Sequence, residues 1–182
     1  MNSLVVFILL SIPLIIISRK NLFEPISHGF YRFWSWECMV LLFSFNYPYW
    51  FTDPFSFAQI ISWVFLILSA YLVLAGVFML KSGGKSSKTR EDKNLYKFEQ
   101  TTELVESGIY RYIRHPMYAS LLFLTWGICL KNVTTALLTA ALLSSIMLYI
   151  TARLDEKECI QFFGEKYRRY MKKTTRFIPF LF

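Results

Sequence analysis

The 182-residue chain is poor in the residues that build metal sites and disulfide frameworks. It has three cysteines, Cys38, Cys129 and Cys159, and two histidines, His28 and His115. The cysteine number is odd and the spacings fit no zinc pattern, so we expect no metal partner. No nucleic-acid-binding module is found either, and we expect no nucleic-acid partner.

Acidic residues are also few, with 12 against 20 basic ones, and the formal net charge is +8. Hydrophobic residues make up 55% of the chain, above the roughly 45–50% of soluble domains. They form long uncharged runs that separate basic segments, as in chains that span a bilayer. The first run lacks a preceding basic region and a following small-residue cleavage site, so we expect a retained span and no signal peptide.

Five apolar segments predict an all-α fold, namely a polytopic membrane bundle of about five transmembrane helices forming one domain, 1–182. The segments are 2–18, 33–51, 58–80, 117–130 and 133–152. The third is the clearest span, and the last two flank Lys131-Asn132 and predict a helical hairpin. We therefore expect three N-terminal spans in 1–80, a cytoplasmic loop in 81–116, the hairpin in 117–152, and a cytoplasmic C-terminal helix and tail in 153–182.

The distribution of basic residues predicts the orientation of these spans. With the N-terminus outside, five spans place 19 of the 20 lysines and arginines on the inner side and leave only Lys131 outside. The positive-inside rule thus predicts an integral, multi-pass protein with a cytoplasmic C-terminus. The short chain without organelle signals favours a prokaryotic inner membrane.

The first inner segment with unusual residues is 104–118, LVESGIYRYIRHPMY. Pro116 suits the first turn of a helix, where its missing N–H costs nothing. Arg111, Arg114 and His115 precede that turn, although cations there oppose the helix macrodipole. Membrane topology alone could place them there. The alternative is that they surround an anionic or polar ligand.

The second such segment is 153–170, in which Glu156 begins an otherwise apolar stripe at helical spacing. A carboxylate on a packed helix face is costly unless it has a partner, which favours a ligand or an ion pair. The alternative is a solvated basic helix on the membrane surface. Gly164 is expected to interrupt or end this helix. Glu37, near the start of the second span, is a further functional candidate.

These two segments resemble the isoprenylcysteine carboxyl methyltransferase family, which belongs to a wider group with phosphatidylethanolamine N-methyltransferases. The shared motifs are Leu-Val at 104–105, Gly-x-Tyr at 108–110, Arg-His-Pro-x-Tyr at 114–118, an acidic pair at 155–156, Phe-Gly-x-x-Tyr-x-x-Tyr at 163–170 and a basic, proline-containing tail at 176–179. The resemblance covers about the last 80 residues.

The resemblance implies S-adenosylmethionine as cofactor, held in a cytoplasmic pocket formed by the loop before the fourth helix and the C-terminal helix. The implied cofactor-binding residues are Thr102, Glu103, Leu104, Val105, Tyr110, Arg114, His115, Pro116, Met117, Tyr118, Asp155 and Glu156. Catalytic or substrate-linked roles fall to Arg153 and Glu156.

The expected function is that of a membrane-embedded, S-adenosylmethionine-dependent methyltransferase. Its acceptor would be lipophilic, either the carboxylate of a prenylcysteine-like compound or another lipidic group, and its surroundings are membrane lipids. Two alternatives remain open at this stage: an NADPH-dependent membrane reductase of the sterol type, and a non-enzymatic membrane scaffold.

Overall fold

The computed structural model describes residues 2–25, 27–83 and 103–180, and regular structure in these ranges is helical apart from one isolated β-bridge. The described ranges contain α1 Ser3–Leu22, α2 His28–Asn46, α3 Phe57–Gly83, α4 Pro116–Cys129, α5 Thr135–Phe163 and α6 Glu165–Lys173, with short 3₁₀ turns at Tyr47–Tyr49 and Gly108–Arg111. The prediction of an all-α fold is confirmed. Residues 84–102 of the predicted 81–116 loop lie outside the described residues, and 81–83, predicted as loop, belong to α3.

Local sequence explains where the helices begin and end. The side chains of Asn2, Ser27 and Thr134 each accept a hydrogen bond from an amide in the first turn of α1, α2 and α5, which supplies a partner that these amides otherwise lack. Pro116 opens α4. Gly164 has φ +61° and ends α5, because a side chain is disfavoured in that conformation. The prediction for Gly164 is confirmed.

The second apolar segment was predicted with the wrong boundaries. The helix begins at His28, not at 33, because Ser27 caps it. It ends at Asn46, not at 51, and a 3₁₀ turn containing Pro48 follows. A proline disfavours the α conformation of the residue before it, which explains the early end. The fifth helix continues without a break from its apolar part into the polar segment 153–163, as expected.

Two helices, α3 and α5, are long and apolar enough to cross a membrane, and α1 and α4 contain shorter apolar stretches. Helix α3 exposes a continuous apolar stripe in which Ile67, Leu74 and Phe78 are each more than 60% exposed. Monomeric soluble proteins rarely expose large apolar patches, whereas lipid covers them without cost. These features are those of a membrane protein.

In the bundle, α2 packs against α5 and α3 packs against α4. The α4–α5 hairpin connects these two pairs, and α1 packs on α2. Small hydroxyl side chains link the helices: Ser144 Oγ lies 2.8 Å from Ser35 Oγ and 3.2 Å from Thr125 Oγ1, and Ser62 Oγ donates to the carbonyl of Gly127 at 2.6 Å. Such contacts replace the hydrophobic effect between helices in lipid.

Lys131, the one cation predicted outside, is buried in the hairpin turn. Its ammonium donates to Gln59 Oε1 at 3.0 Å and lies 3.8 Å from the ring centre of Trp63 and 5.2 Å from that of Trp50. A hydrogen bond and two aromatic faces thus compensate the loss of hydration.

Candidate active site

The C-terminal tail lies beside the segment that leads into α4. Ile113 and Thr175 form an isolated parallel bridge. The amide of Arg114 donates to the carbonyl of Thr175 at 2.9 Å, and the amide of His115 donates to the carbonyl of Arg176 at 3.1 Å. The 104–118 segment is therefore connected by backbone hydrogen bonds to the C-terminal tail that follows α6.

Glu156, which is 4% exposed, lies between two guanidinium groups. Its Oε1 accepts from Arg114 Nε and from Arg176 Nε, both at 3.0 Å, and its Oε2 accepts from Arg176 Nη2 at 2.9 Å. Burial lowers the pKa of Arg176, but the adjacent carboxylate outweighs burial and raises it. Two cations with a forked geometry hold Glu156 as a carboxylate.

His115 lies between the two members of the acidic pair. Its Nδ1 is 3.5 Å from Asp155 Oδ2, and its Nε2 is 3.5 Å from Glu156 Oε1. The imidazole stacks on Tyr118 with ring centres 5.3 Å apart. Nε2 is buried and faces the Glu156 carboxylate, although the contact does not have the geometry of a regular hydrogen bond.

A cleft of about 630 Å³, including its open mouth, lies where these elements meet. It is bounded by the end of α3, the 104–118 segment, the first turn of α4, the polar end of α5, and α6. Its lining residues are Leu80, Leu104, Val105, Tyr110, Arg114, His115, Pro116, Met117, Tyr118, Asp155, Cys159, Tyr167 and Tyr170. The size and the mixture of apolar walls with a few polar groups are typical of a small-molecule site.

Two tyrosines of α6 form one wall of this cleft. Tyr170 donates a hydrogen bond to the carbonyl of Tyr110 at 2.6 Å. Burial raises the pKa of Tyr170 and of Tyr167 well above the ordinary tyrosine value. Both rings are therefore neutral, and Tyr170 joins α6 to the 3₁₀ turn that carries Tyr110.

Most of the residues implied by the family resemblance lie at the cleft, but not all. Nine of them line it: Leu104, Val105, Tyr110, Arg114, His115, Pro116, Met117, Tyr118 and Asp155. Glu156 lies behind this lining in its ion pairs. Glu103 and Arg153 are outside the lining of the cleft, and Thr102 lies outside the described residues. The roles of all these residues remain predictions.

Sequence reasoning assigned no site role to several residues of the cleft. Cys159, Tyr167 and Tyr170 share the helical stripe that begins with Glu156, and that periodicity could have revealed them. Leu80 at the end of α3 carries no such signal. Arg176 reaches Glu156 only because the tail pairs with the 112–115 segment, a contact between residues far apart in sequence.

Two other ionisable side chains are held in pairs between helices. His28 Nδ1 in α2 lies 2.9 Å from Glu158 Oε1 in α5, and the imidazole is completely buried. Glu37 Oε2 accepts from Ser11 Oγ at 2.7 Å, whereas its buried Oε1 has no partner in the described ranges. The structure thus gives Glu37 a helix–helix contact, and a functional role for it remains a prediction.

The fold and the cleft describe a helical membrane protein with a cleft of small-molecule size at one end of its bundle. A family model described as phospholipid methyltransferase matches residues 57–167, more than half of the chain. The protein belongs to this family. The motif resemblance drawn from 104–118 and 153–180 is confirmed by these comparisons.

Similar curated proteins are methyltransferases by name. A methanethiol S-methyltransferase of Pseudomonas deceptionensis is 38% identical over 73 residues, which is 40% of this chain and 27% of the relative. Another from Crocosphaera subtropica is 31% identical, covering 41% and 28%. A protein-S-isoprenylcysteine O-methyltransferase of Schizosaccharomyces pombe is 31% identical over 81 residues, covering 43% and 34%. The matches span about a quarter to a third of these relatives, and no solved structure matches.

Proposed function

We propose that this protein is a membrane-embedded methyltransferase that uses S-adenosylmethionine and methylates a lipophilic acceptor. The observation that carries the proposal is the cleft itself, in which the 104–118 segment, the start of α4 and the acidic end of α5 surround one small-molecule volume. The named activities of the relatives support the reaction class. The five-span topology and the cytoplasmic position of the cleft are part of the same proposal.

The polar groups of the cleft suit the amino-acid end of the cofactor. Asp155 offers a carboxylate to its ammonium group. The first turn of α4 offers the amide of Met117, since first-turn amides have no acceptor within their own helix. A helix N-terminus favours an anion such as the cofactor carboxylate. His115, which also lines the cleft, adds an imidazole as a third polar group.

The apolar walls suit the rest of the cofactor. Leu104, Val105 and Leu80 provide surface for a heterocycle, and the faces of Tyr110 and Tyr118 lie at the same cleft. An aromatic face attracts a cation, and the cofactor, when bound, supplies a methyl group on a sulfonium. Sulfonium is a good leaving group, so the residues mainly need to position donor and acceptor and to exclude water.

The structure favours a positioning role for Glu156 over direct contact with reactants. Both carboxylate oxygens already accept hydrogen bonds from Arg114 or Arg176. We propose that Glu156 fixes these two arginines and thereby the 114–118 segment. Arg153, exposed about one turn before Glu156 on α5, is proposed as a contact for the acceptor at the edge of the site.

The acceptor is proposed to reach the cleft from the bilayer. The relatives act on methanethiol and on isoprenylcysteine, according to their names. Both names describe sulfur compounds, one a small thiol and the other a cysteine that carries an apolar isoprenyl chain. The proposed acceptor class is therefore an apolar molecule with a nucleophilic group, either the carboxylate of a prenylcysteine-like compound or another such group.

Ligand binding tests the proposed cofactor. We expect S-adenosylhomocysteine, and not NADPH, to raise the unfolding temperature of the purified protein in detergent. Asp155→Asn is expected to weaken S-adenosylhomocysteine binding about 10- to 100-fold, since a charge-assisted hydrogen bond contributes about 1.5–3 kcal/mol. Asp53→Asn, at an exposed turn at the other end of the bundle, is the matched control. Stabilisation by NADPH alone would favour the reductase alternative.

Methyl transfer tests the reaction. Membranes containing the protein are incubated with S-adenosylmethionine labelled in its methyl group and with a lipid extract of the host. We expect label in an extractable apolar product, and less of it with Asp155→Asn. Absence of both a labelled product and cofactor binding would favour the scaffold alternative.

A further inference from the structure

A second groove lies on the outer surface of the protein, behind the 3₁₀ turn Gly108–Arg111. It encloses about 690 Å³ of open space, and its lining residues are Tyr71, Ala75, Met79, Gly108, Ile109, Arg111 and Tyr112. None of these residues lines the cofactor cleft, although the turn also carries Tyr110, which does. The groove is therefore a separate surface that shares one wall with the cleft.

The floor of the groove follows the axis of α3. Tyr71, Ala75 and Met79 recur every four residues and so lie on one face of the helix. At a rise of 1.5 Å per residue they cover about 12 Å, close to the depth of one leaflet in a hydrocarbon core about 30 Å thick. Ile67 and Leu74, exposed along the same helix, continue the apolar surface around it.

Arg111 and Tyr112 line the groove on the side of the 3₁₀ turn, whereas Tyr71 belongs to its floor on α3. Arg111 is exposed and makes no ion pair with any residue that the structure describes. Tyr112 is 48% exposed, as expected of a tyrosine at a membrane interface. No aspartate or glutamate of the described ranges lines the groove. The side of the groove formed by the turn therefore complements an anion, and the floor formed by α3 complements an acyl chain.

The groove and the cleft are both lined by residues of the 3₁₀ turn Gly108–Arg111. Gly108 has φ +59°, and a side chain at this position would meet Met79 Sδ at 2.6 Å, so the turn sits directly on α3. Two residues later, Tyr110 lines the cleft, and its carbonyl accepts the hydrogen bond from Tyr170. A molecule held between Met79 and Arg111 would therefore support the turn that positions Tyr110.

We propose that this groove binds one anionic phospholipid from the leaflet on the cleft side of the bundle. Its phosphate lies at Arg111, and an acyl chain lies along Tyr71, Ala75 and Met79. The bound lipid braces the 3₁₀ turn and so raises the affinity of the cofactor cleft. The coupling to the cleft rests on the proposed function, whereas the lipid site itself does not. Binding free energies coupled in this way commonly change affinity by about fivefold or more.

Lipid retention tests the site directly. The full chain is reconstituted in nanodiscs of phosphatidylcholine with or without phosphatidylglycerol, and retained lipid is measured by native mass spectrometry. We expect a retained phosphatidylglycerol that is lost in Arg111→Gln and in Ala75→Phe, which fills the groove floor and keeps the charge. Lys173→Gln, at an exposed cation of α6, is the matched control. Equal retention in Arg111→Gln and the unchanged protein would overturn the site.

Cofactor affinity tests the coupling. We expect phosphatidylglycerol to tighten S-adenosylhomocysteine binding about fivefold, and Arg111→Gln to abolish this difference. Inorganic phosphate in phosphatidylcholine nanodiscs is expected to have no effect, and a similar effect would overturn the assignment to a lipid headgroup. If S-adenosylhomocysteine does not bind under any condition, the proposed function fails, while lipid retention still decides whether the groove is a lipid site.

Discussion

At the scale of single residues, the ion-pair cluster around Glu156 is the feature most sensitive to substitution. Glu156→Gln would leave Arg114 and Arg176 buried without their counter-charge. Removing one partner of a buried pair costs about 3–5 kcal/mol. We expect a clearly lower unfolding temperature in detergent. Arg176→Lys keeps the charge but loses the fork that contacts both carboxylate oxygens, so its loss is expected to be smaller.

A surface pair in the same part of the chain provides the control for this prediction. Glu165 and Arg168 of α6 form an ion pair with side chains 77% and 59% exposed. Exposed pairs contribute about 0–1 kcal/mol, so Glu165→Gln should change the unfolding temperature little. If Glu156→Gln and Glu165→Gln had equal effects, the ion-pair cluster would not be the structural centre of the site.

At the scale of elements, the boundary between α5 and α6 depends on one backbone conformation. Gly164 combines φ +61° with ψ −136°, a region that is costly for residues with a side chain by about 1–3 kcal/mol. A Cβ added to Gly164 would meet no atom within 4 Å, so any loss on substitution comes from the backbone. Gly164→Ala is expected to lower stability and to weaken S-adenosylhomocysteine binding, because α6 carries Tyr167 and Tyr170.

Two substitutions separate this backbone effect from other causes. Gly164→Asn is expected to give no rescue, because asparagine tolerates the left-handed helical region, where ψ is positive, and not this one. Gly83→Ala, in the last turn of α3, places its Cβ in ordinary contact with Val105 at 3.5 Å. It should be neutral or slightly stabilising. Unchanged stability of Gly164→Ala would contradict the argument.

The helical elements could be predicted from sequence because each depends on local residues. Pro116 and Gly164 mark helix ends through their own backbone conformation, whereas the start of α2 at His28 was missed although Ser27 caps it. The end of α2 was predicted too late, near 51, because the aromatic run continues past Pro48, although the α-helix ends before that proline. The contact of Arg176 with Glu156 could not be predicted, since it requires the tail to pair with a segment some sixty residues earlier. Local periodicity carries no information about such pairing.

At the scale of the whole molecule, the proposed topology makes the two ends of the bundle chemically different. The end with the cleft carries the exposed cations of α6 and the ion-pair cluster, whereas Lys131 at the other end is buried against aromatic rings. Under the positive-inside rule the proposed topology has the cleft on the cytoplasmic side, open to a soluble methyl donor, and the proposed acceptor in the lipid. The lipid-facing stripe of α3 links these two environments.

Site-directed labelling tests this topology. In a variant whose three cysteines are replaced by serine or alanine, single cysteines are introduced at Asn2, Asn132 and Lys172. We expect a membrane-impermeant maleimide to label the first two positions on intact cells, and Lys172→Cys only after permeabilisation, because five spans put the N-terminus and the hairpin turn outside. Labelling of Asn2→Cys and Lys172→Cys from the same side would require an even number of spans. Labelling of Asn132→Cys and Lys172→Cys from the same side would mean that α5 does not cross the bilayer.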